Sequence, residues 1–342
     1  MKRAVAPSVF ADGVRHSKNT GDKIAGATVR VPAYAKLNLG LRVLYRRPDG
    51  YHEIRTVFQT ISLADRLDIS FRPARTTRIA IEGTPEIPDN LVERAARLVL
   101  EALRIQGDIS FHLRKNIPTG AGLGGGSSDA AAVLLALPVL AGKTLPADRL
   151  HAIATQLGSD VPFFLHGGTA LGLGRGEELY PLPDRPTARG LLVAPAIHSS
   201  TAESYRDLSA RLTTIPLQNK LDSFQQEVWL NAAGGGSGVD GNDFEEVVFA
   251  RHRKLKQIKD QLIRFGAKPA AMTGSGSAIF GIFAEAGQLE RARSLFPNQK
   301  VFPISFLSRA QYRSAWRRAL KLHVEGTLWP PQSPSARDPS AR

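Results

Sequence analysis

The chain has 342 residues, a formal net charge of +14 and no cysteine. The lack of cysteine excludes disulfides, thiolate metal sites and a cysteine nucleophile. No apolar run reaches the roughly 18 residues that a membrane-spanning helix requires. The apolar stretch near the start, Ala4–Ala11, is too short for a signal peptide and is interrupted by Pro7. We therefore expect a cytoplasmic protein with room for two domains.

The positive charge is spread over three parts of the chain, namely residues 1–27, Arg251–Arg264 and Arg309–Lys321. In the last part, arginines recur every four residues beside an apolar stripe that contains Trp316, which indicates an exposed helix face. No basic motif with interleaved aromatic residues stands out. We therefore expect no nucleic-acid partner, and an anionic small molecule would explain the positive potential equally well.

The first 27 residues are polar and aperiodic, which predicts a flexible extension. From Thr28 the pattern is that of a strand, and in Lys36–Val43 four apolar residues alternate with polar or small ones. A period of two places the apolar residues in a core. It also puts Lys36 and Asn38 together on the opposite face, where they are free to project into a cleft.

Further elements follow in the order turn, two strands, helix, strand, glycine-rich loop and helix. Asn90 should cap the first of these helices and Gly107 should end it, whereas Pro138 should end or kink the second helix. This mixed order predicts an α+β fold rather than a repeating βαβ sheet. The predicted positions are Arg46–Gly50, Thr56–Leu63, Arg66–Phe71, Asn90–Gly107, Ile109–Leu113, Thr119–Ser128 and Ala130–Leu137.

The proline-rich stretch Pro181–Pro186 predicts a boundary between a first domain at 28–186 and a second domain at 187–325. The proline- and serine-rich residues 326–342 predict a disordered tail. Two glycine-rich loops are expected in the second domain, one on the surface and one before an apolar strand, at Gly234–Gly238 and Thr273–Ser277.

The glycine-rich loop of the first domain is the strongest single signal in the chain. Its glycines let successive backbone N–H groups point at one anion, and the following helix offers its positive N-terminal end to the same charge. The loop therefore predicts a phosphate site. Its residues are Pro118, Thr119, Gly120, Ala121, Gly122, Leu123, Gly124, Gly125, Gly126, Ser127 and Ser128.

Other interpretations of this loop compete with a phosphate site of this kind. Gly120, Gly122 and Gly125 match the dinucleotide fingerprint G-x-G-x-x-G, but that fingerprint needs a βαβ unit near the start of the chain. A Walker loop is excluded because no lysine follows the glycines. A tight turn without a ligand is also open, although five glycines in nine residues would be a costly way to build one.

The loop resembles the phosphate-binding motif of the galactokinase, homoserine, mevalonate and phosphomevalonate kinase family. The family's members are two-domain α+β proteins that bind ATP in a cleft without a Walker loop. The resemblance implies a first domain like a ribosomal-protein fold and a C-terminal α/β sandwich domain. Five further segments support it, at Pro32–Leu39, Arg47–Glu53, Gly158–Phe164, Asn242–Glu245 and Thr273–Ser277.

The resemblance implies a kinase that phosphorylates an alcohol and assigns its catalytic residues. Asp160 would accept the proton of the substrate hydroxyl, and Lys36 would neutralise the γ-phosphoryl group. Asn38 would orient the substrate, and Mg²⁺ would arrive with ATP, with Ser128 as its candidate ligand and Asp129 as a weaker one. Taken alone, Asp160 could equally be a helix cap, and Lys36 a surface lysine.

The segment that contains Tyr51 and His52 is similar to that of one member of the family, whose substrate carries a cytidine diphosphate. The resemblance implies that these two residues hold the cytosine ring and that Tyr205 stacks on it from the other domain. Backbone N–H groups of Gly274, Ser275 and Gly276 would then face the diphosphate. Tyr51 could instead be a strand-edge aromatic residue, and His52 could make a purely structural hydrogen bond.

Two rival functions remain at this point. Kinases that act on homoserine or mevalonate-type alcohols share the family motifs, but their substrates have no base for Tyr51 and His52 to hold. A non-enzymatic nucleotide- or RNA-binding module would suit the positive charge, but it would not require Lys36, the glycine loop and Asp160 together. We therefore expect a small-molecule substrate with a cytidine diphosphate, and no partner in nucleic acid or membrane. The oligomeric state stays open.

Overall fold

The computed structural model describes residues 26–83, 89–210, 217–232 and 241–324. The glycine loop expected at Gly234–Gly238, the tail expected at 326–342 and all but the last two residues of the expected extension lie outside these described residues. Within the described ranges, no helix has both the length and the apolar character needed to cross a bilayer.

The first part of the chain forms a mixed layer of strands and helices. Two long antiparallel strands, β1 and β2, carry most of it, and helices follow between the shorter strands. The elements are β1 (Ala27–Arg46), β2 (His52–Pro73), β3 (Arg78–Glu82), α1 (Leu91–Leu103), β4 (Gly107–Arg114), α2 (Gly125–Leu140), α3 (Ala147–Leu157), α4 (Phe163–His166), β5 (Thr169–Leu173) and β6 (Glu178–Pro181).

These strands form one six-stranded sheet in which the order β3-β4-β2-β5-β6 is extended by β1 on β2. All pairs are antiparallel except β3 with β4. A Rossmann-type dinucleotide fold needs a parallel βαβ sheet around its glycine loop. The glycine loop here instead leaves β4, which pairs antiparallel with β2, and enters α2. The sheet therefore does not support the dinucleotide interpretation.

The second part of the chain forms a four-stranded antiparallel sheet in the order β10-β7-β9-β8 with helices packed beside it. Its elements are β7 (Arg189–Ala194), α5 (Thr201–Ser209), α6 (Leu217–Ala232), α7 (Phe244–Arg251), α8 (Arg253–Arg264), β8 (Ala270–Met272), β9 (Ile279–Phe283), α9 (Ala286–Arg293), β10 (Lys300–Ser305) and α10 (Arg309–Ala319). Two sheets with their own helices confirm the predicted α+β, two-domain fold.

The strand β1 connects the hydrophobic cores of the two parts. Val31 belongs to the core under the helices of the first part, Leu37 to a core between the two sheets, and Val43 to the core of the second part. The predicted burial of the apolar residues in Lys36–Val43 is confirmed. One strand thus passes the interface between the two sheets, which is where Lys36 and Asn38 lie.

Three local expectations need correction. The helix α1 begins at its predicted cap, since the Asn90 side chain accepts a hydrogen bond from the Val92 N–H, but it ends at Leu103 with Arg104 in the left-handed conformation rather than at Gly107. The helix α2 continues past Pro138 to Leu140. The proline lies in the last turn, so it removes a single hydrogen bond close to the natural end. The two predicted strands after the first turn are one continuous strand, β2.

The last helix, α10, returns to the first part of the molecule. Tyr312 and Trp316 of this helix and Leu320 directly after it are at most 3% exposed and belong to the core formed with α1 to α4. The Tyr312 hydroxyl donates to the backbone carbonyl of Phe164 on α4. The amphipathic pattern of this helix was visible in the sequence, but its packing partner was not.

Candidate active site

A cavity of about 520 Å³ lies between the glycine loop of the first part and the loop after β8 in the second part. The sequence-predicted residues that line it come from five separate segments of the chain. They are Lys36, Asn38, Gly120, Gly122, Gly124, Ser127, Asp160, Tyr205, Gly274, Ser275 and Gly276.

Lys36 and Asp160 face each other in this cavity. The Lys36 Nζ is 3.3 Å from Asp160 Oδ2, and it donates a hydrogen bond of 2.6 Å to Asn38 Oδ1. The Lys36 side chain is 4% exposed and that of Asp160 is 30% exposed. A buried cation requires such partners. The carboxylate therefore keeps access to the cavity, while the ammonium group is held in one place between two oxygens.

The position of Asn38 is fixed from both sides of the molecule. Its Nδ2 donates to Thr56 Oγ1 on β2 at 2.8 Å, and its backbone N–H donates to the Thr273 hydroxyl at 3.0 Å. The pairing of β1 with β2 is irregular on both sides of Lys36 and Asn38. Such bulges redirect side chains locally. They explain why two polar residues are buried beside leucines instead of lying on an outer face.

The glycine loop requires glycine at its central positions. Gly120, Gly122 and Gly124 have φ values of 67°, 78° and 69°, which L-residues rarely adopt. A side chain on Gly122 would collide with the Thr273 carbonyl, and one on Gly124 would collide with Phe164. The loop is therefore packed between both parts of the molecule.

The start of α2 leaves its first backbone N–H groups free for an anion. Gly124 is the N-cap residue and provides no capping side chain, so the N–H groups of the first turn have no partner within the helix. They lie beside the cavity that Lys36 lines, and Ser127 adds a hydroxyl from the same turn. The arrangement can bind a phosphate group through backbone dipoles and one cation.

Ser128 and Asp129, the candidate magnesium ligands, are both 2% exposed and do not line the cavity. Asp129 Oδ2 accepts a hydrogen bond of 2.7 Å from Lys115, which also donates to Asp65. Burial, together with the nearby Asp65, raises the pKa of Asp129 to about 7. This cluster lies behind the glycine loop and supports it from the side away from the cavity.

His52 and Tyr205, both predicted to contact the cytosine ring, lie close together and stack on each other. Their centroids are 4.6 Å apart with an angle of 22° between the planes. His52 Nε2 is 2.6 Å from the Ser209 hydroxyl, whose own hydrogen is donated to the Tyr205 carbonyl. The imidazole therefore donates through Nε2. Burial lowers the pKa of His52, and burial raises that of Tyr205 to about 12, with a smaller effect from Asp160.

Tyr51 lies at the rim of this region with 56% of its surface exposed. The guanidinium carbon of Arg175 is 4.7 Å from the centroid of its ring, which is a cation–π distance. Arg175 also lines the cavity and is held by Glu177, which accepts both its backbone N–H and its Nε–H. The ring of Tyr51 is therefore held close to the cavity.

The late glycine loop contacts the first glycine loop directly. Gly274 lies against the backbone of Gly122, and Ser275 is held by Ser199 and Thr201 from the start of α5. The remaining predicted loop residues have other surroundings. The side chains of Ala121 and Leu123 are buried in the core between the sheets. Like Ala121 and Leu123, five other residues of the loop do not line the cavity, namely Pro118, Thr119, Gly125, Gly126 and Ser128.

Sequence reasoning missed several residues that line the cavity. Arg175 stands in a Gly-Arg-Gly turn between β5 and β6, and this turn is the signal that could have found it. The segment before α5 could have been recognised from Ser200, a serine cap whose side chain accepts from the Glu203 N–H. The missed polar residues of the lining are Ser159, Arg175, His198, Ser199, Ser200 and Thr201.

Comparison with known families places both parts of the chain in one superfamily. Residues 90–168 match the N-terminal domain of the GHMP kinases, and residues 220–299 match their C-terminal domain. The first match contains the glycine loop and Asp160. The second contains the late glycine loop.

Individual relatives agree with this assignment. The chain is 56% identical over 305 residues to 4-diphosphocytidyl-2-C-methyl-D-erythritol kinase of Solibacter usitatus, covering 88% of this chain and 96% of the relative. It is 41% identical over 286 residues to the kinase of the same name from Moorella thermoacetica, covering 82% and 98%. A crystal structure of 4-(cytidine 5'-diphospho)-2C-methyl-D-erythritol kinase superposes with a TM-score of 0.68 at 36% identity, covering 81% and 98%.

Proposed function

Since the chain belongs to the 4-diphosphocytidyl-2-C-methyl-D-erythritol kinases of the GHMP superfamily, we propose that it phosphorylates a hydroxyl of that cytidine diphosphate alcohol. The chain is an ATP-dependent kinase of a small molecule, and the pathway it serves is isoprenoid precursor synthesis by the non-mevalonate route. The acceptor in our proposal is the 2-hydroxyl. The observation that carries the proposal is the Lys36–Asp160 pair facing the glycine loop in one cavity.

Asp160 is the proposed general base. Its carboxylate is the more exposed member of the pair, so a substrate hydroxyl can reach it and transfer a proton. Lys36 would stay between Asp160 and Asn38 and would stabilise the charge on the γ-phosphoryl group as that group passes to the alcohol oxygen. In this arrangement the protein orients and neutralises the reactants, and Asn38 holds the lysine in place.

ATP is the phosphate donor of the superfamily. We propose that the N–H groups at the start of α2 hold its phosphates, with Gly122 and Gly124 allowing their close approach. A Mg²⁺ ion that arrives with ATP would meet the Ser127 hydroxyl and the Asp160 carboxylate, both of which line the cavity. Among the described residues, no group of three or more His, Cys, Asp or Glu could hold a metal. Magnesium usually needs only one or two protein ligands beside phosphate and water.

Ser128 was predicted as the magnesium ligand and stays a prediction. We propose the neighbouring Ser127 in its place. Ser128 is 2% exposed, whereas the neighbouring Ser127 is half-buried and lines the cavity. Asp129 is engaged with Lys115. The magnesium would neutralise phosphate charge there, and the protein residues would set the position of the nucleotide.

The cytosine ring is proposed to lie between Tyr51 and Tyr205. His52 stacks on the face of Tyr205 with the ring centroids 4.6 Å apart. That face of Tyr205 is therefore covered, and the base can stack on it only after His52 turns away. Arg175, which lies over Tyr51 and lines the cavity, would offer a cation to the substrate diphosphate. The N–H groups of Gly274–Gly276 would face the same diphosphate. A cytoplasmic location accords with the use of ATP.

The experiment is an assay of ADP release with three alcohols: 4-diphosphocytidyl-2-C-methyl-D-erythritol, homoserine and mevalonate. Only the cytidine diphosphate alcohol should support rapid turnover. Asp160→Asn should lower kcat by about 10²–10⁴-fold, whereas Asp148→Asn, at an exposed position on α3, should leave it unchanged. Turnover with homoserine or mevalonate that equals turnover with the cytidine compound would refute the proposal.

A further inference from the structure

The segment Asn242–Glu245, called here the bridging segment, touches both parts of the molecule without contributing to the chemistry described so far. The backbone of this segment and of the preceding Gly241 pairs with β1: the Leu41 N–H donates to the Gly241 carbonyl at 3.1 Å, and the Asp243 N–H donates to the Leu41 carbonyl at 3.0 Å. The Asp243 carboxylate accepts the Val43 N–H at 2.9 Å. The segment is therefore attached to the strand that carries Lys36 and Asn38.

The Asn242 side chain fixes the late glycine loop. Its Nδ2 donates to the backbone carbonyls of Met272 at 2.8 Å and Gly274 at 2.7 Å, and its Oδ1 accepts the Phe244 N–H at 3.0 Å. The residue is 5% exposed. These partners require two donor hydrogens and one acceptor, which only an amide of this length supplies. A carboxylate of the same shape would face two carbonyl oxygens at hydrogen-bond distance.

The loop held by Asn242 leads directly to the catalytic pair. Thr273 lies between the two carbonyls that Asn242 binds, and its hydroxyl accepts the Asn38 N–H at 3.0 Å. Asn38 Oδ1 in turn accepts the hydrogen bond of 2.6 Å from Lys36, which lies 3.3 Å from Asp160. A displacement of the loop would therefore move the oxygen that holds the Lys36 ammonium.

The same amide also sets the ring that supports the proposed base site. Asn242 Oδ1 orients the backbone of Phe244, whose ring packs edge-on against Tyr205 with centroids 4.7 Å apart at 88°. Tyr205 carries His52 on its face. Glu245 adds a second tie to the loop, since its Oε1 accepts the Met272 N–H at 2.8 Å. The Asn242 side chain thus contacts both the late glycine loop, which leads to Lys36, and Phe244, which supports Tyr205.

We propose that Asn242 is a positioning residue that couples the base end of the site to the phosphoryl-transfer end. It acts through Thr273 and Asn38 on Lys36, and through Phe244 on Tyr205. The proposal rests on the proposed function in one respect, namely the assignment of Lys36 and Asp160 to the chemistry. Its structural part, the control of the late loop by one amide, can be measured without any substrate.

The first test is Asn242→Asp, which keeps the shape and the acceptor but removes both donors to the loop. We expect kcat to fall by about 10–100-fold, because small misplacements of reacting groups have effects of this size. The KM for ATP should change by a smaller factor than kcat, because Asn242 makes no hydrogen bond to the N–H groups at the start of α2. Thr273→Val should show the same split, and Thr273→Ser, which keeps the hydroxyl, should restore kcat.

A double-mutant cycle tests whether Asn242 acts through Thr273. If it does, Asn242→Asp combined with Thr273→Val should lower kcat no further than the more severe single change, within about threefold. Val248→Ala is the matched control, since Val248 is 1% exposed on α7 in the core of the second part. It should lower the Tm by at least as much while leaving kcat unchanged.

Amide hydrogen exchange supplies the measurement that needs no substrate. The Thr273 and Gly276 N–H groups are hydrogen-bonded within the loop. In Asn242→Asp they should exchange at least about tenfold faster than in the wild type, with no such local change in Val248→Ala.

Unchanged exchange in the loop overturns the proposal, even if the enzyme proves to act on another alcohol. So does a folded Asn242→Asp variant with kcat within about twofold of wild type, or a double variant whose losses multiply. If Asn242→Asp does not fold, Thr273→Val against Thr273→Ser decides the same link.

Discussion

Ionisable side chains are buried on both sides of the glycine loop, and each is paired. On the cavity side, Lys36 lies between Asp160 and Asn38. On the opposite side, Lys115 lies between Asp65 and Asp129. Burial of a charge is unfavourable unless partners compensate it. The two clusters differ in access: Asp160 can meet a substrate, whereas the second cluster faces the protein interior.

The second cluster predicts a pH dependence of stability. Burial raises the pKa of Asp129 from 3.8 to about 7, and its Oδ1 has no hydrogen-bond partner among the described residues. The folded state binds the Asp129 proton more tightly than the unfolded state does. The resulting stabilisation of the folded state is complete below about pH 4 and is lost as the pH rises towards 7. Between pH 4 and pH 8, the free energy of unfolding of Asp129→Asn should therefore rise relative to that of the wild type by on the order of 4 kcal/mol. Urea unfolding at both pH values measures this, with Asp148→Asn as the control. An equal pH dependence in wild type and Asp129→Asn would contradict it.

The proposed contact of Tyr51 with cytosine can be separated from a general effect of losing an exposed tyrosine. Tyr51→Ala should raise the KM for the cytidine substrate by the equivalent of about 1–3 kcal/mol, the range for stacking on a base. The KM for ATP should not change. Tyr45→Ala is the matched control, since Tyr45 is 46% exposed and Tyr51 56% exposed. Steady-state kinetics with both substrates decide the matter, and equal rises in the two KM values would exclude the stacking role.

Several site residues were predictable because one local pattern contains them. The alternation around Lys36 and Asn38 placed both on one face of a strand, and the family resemblance then assigned their roles. The glycine run predicted the phosphate loop. The choice between Ser127 and Ser128 was not accessible, because consecutive helical residues face different directions and the sequence does not say which direction meets the cavity. Arg175 was not found because its role depends on a turn far from the other motifs in the chain.

At the level of elements, the two glycine loops form one contact. Gly122 approaches the Thr273 carbonyl so closely that no side chain fits between them. This close approach of the two backbones explains why the first loop contains so many glycines. A turn alone could be made with fewer of them. The second loop was recognised in the sequence, but its contact with the first was not, because 151 residues separate Gly122 from Thr273.

This contact predicts the effect of adding a single methyl group. Gly122→Ala should weaken ATP binding at least about tenfold, because the loop must move away from Thr273 and its N–H groups then lose their alignment. Gly142→Ala is the control: its φ of 62° is also left-handed, but nothing lies within 4 Å of the added carbon. Thermal stabilisation by Mg-ATP reports the binding. If both variants are stabilised equally by the nucleotide, the close approach at Gly122 has no role in binding.

The extent of the elements was less predictable than their kind. The strand β8 was missed because three residues, Ala270–Met272, carry no clear period. The continuation of α2 past Pro138 depends on packing, since nearly every residue of this helix after Ser127 is buried. Tertiary contacts therefore decided what the local pattern left open.

At the level of the whole molecule, the two parts share the strand β1, and the last helix of the second part packs in the core of the first part. The strand passes through three hydrophobic cores, and α10 returns from the second sheet to pack against β1 and α4. The domain limits drawn at 28–186 and 187–325 stay a prediction. The packing of α10 shows, however, that the first core is completed by residues from the other end of the described chain.

The returning helix should contribute strongly to stability. Trp316 is 1% exposed, and Trp316→Ala should lower the free energy of unfolding by about 3–5 kcal/mol, the usual range for removing a large buried aromatic side chain. Arg317→Ala, at the exposed neighbouring position, should change it by less than about 0.5 kcal/mol. Urea denaturation measures both. Similar values for the two variants would mean that α10 is not part of the core.

The return of α10 also has a consequence for synthesis of the protein on the ribosome. Phe164, whose carbonyl binds the Tyr312 hydroxyl, follows Asp160 by four residues, so α10 helps to anchor the segment that contains the proposed general base. A nascent chain presents the glycine loop and Asp160 more than a hundred residues before Tyr312 emerges. Until then the first core lacks three of its large side chains. Completion of the proposed catalytic centre therefore waits for α10, and a chain that stalls before this helix carries Lys36 and Asp160 without a finished site.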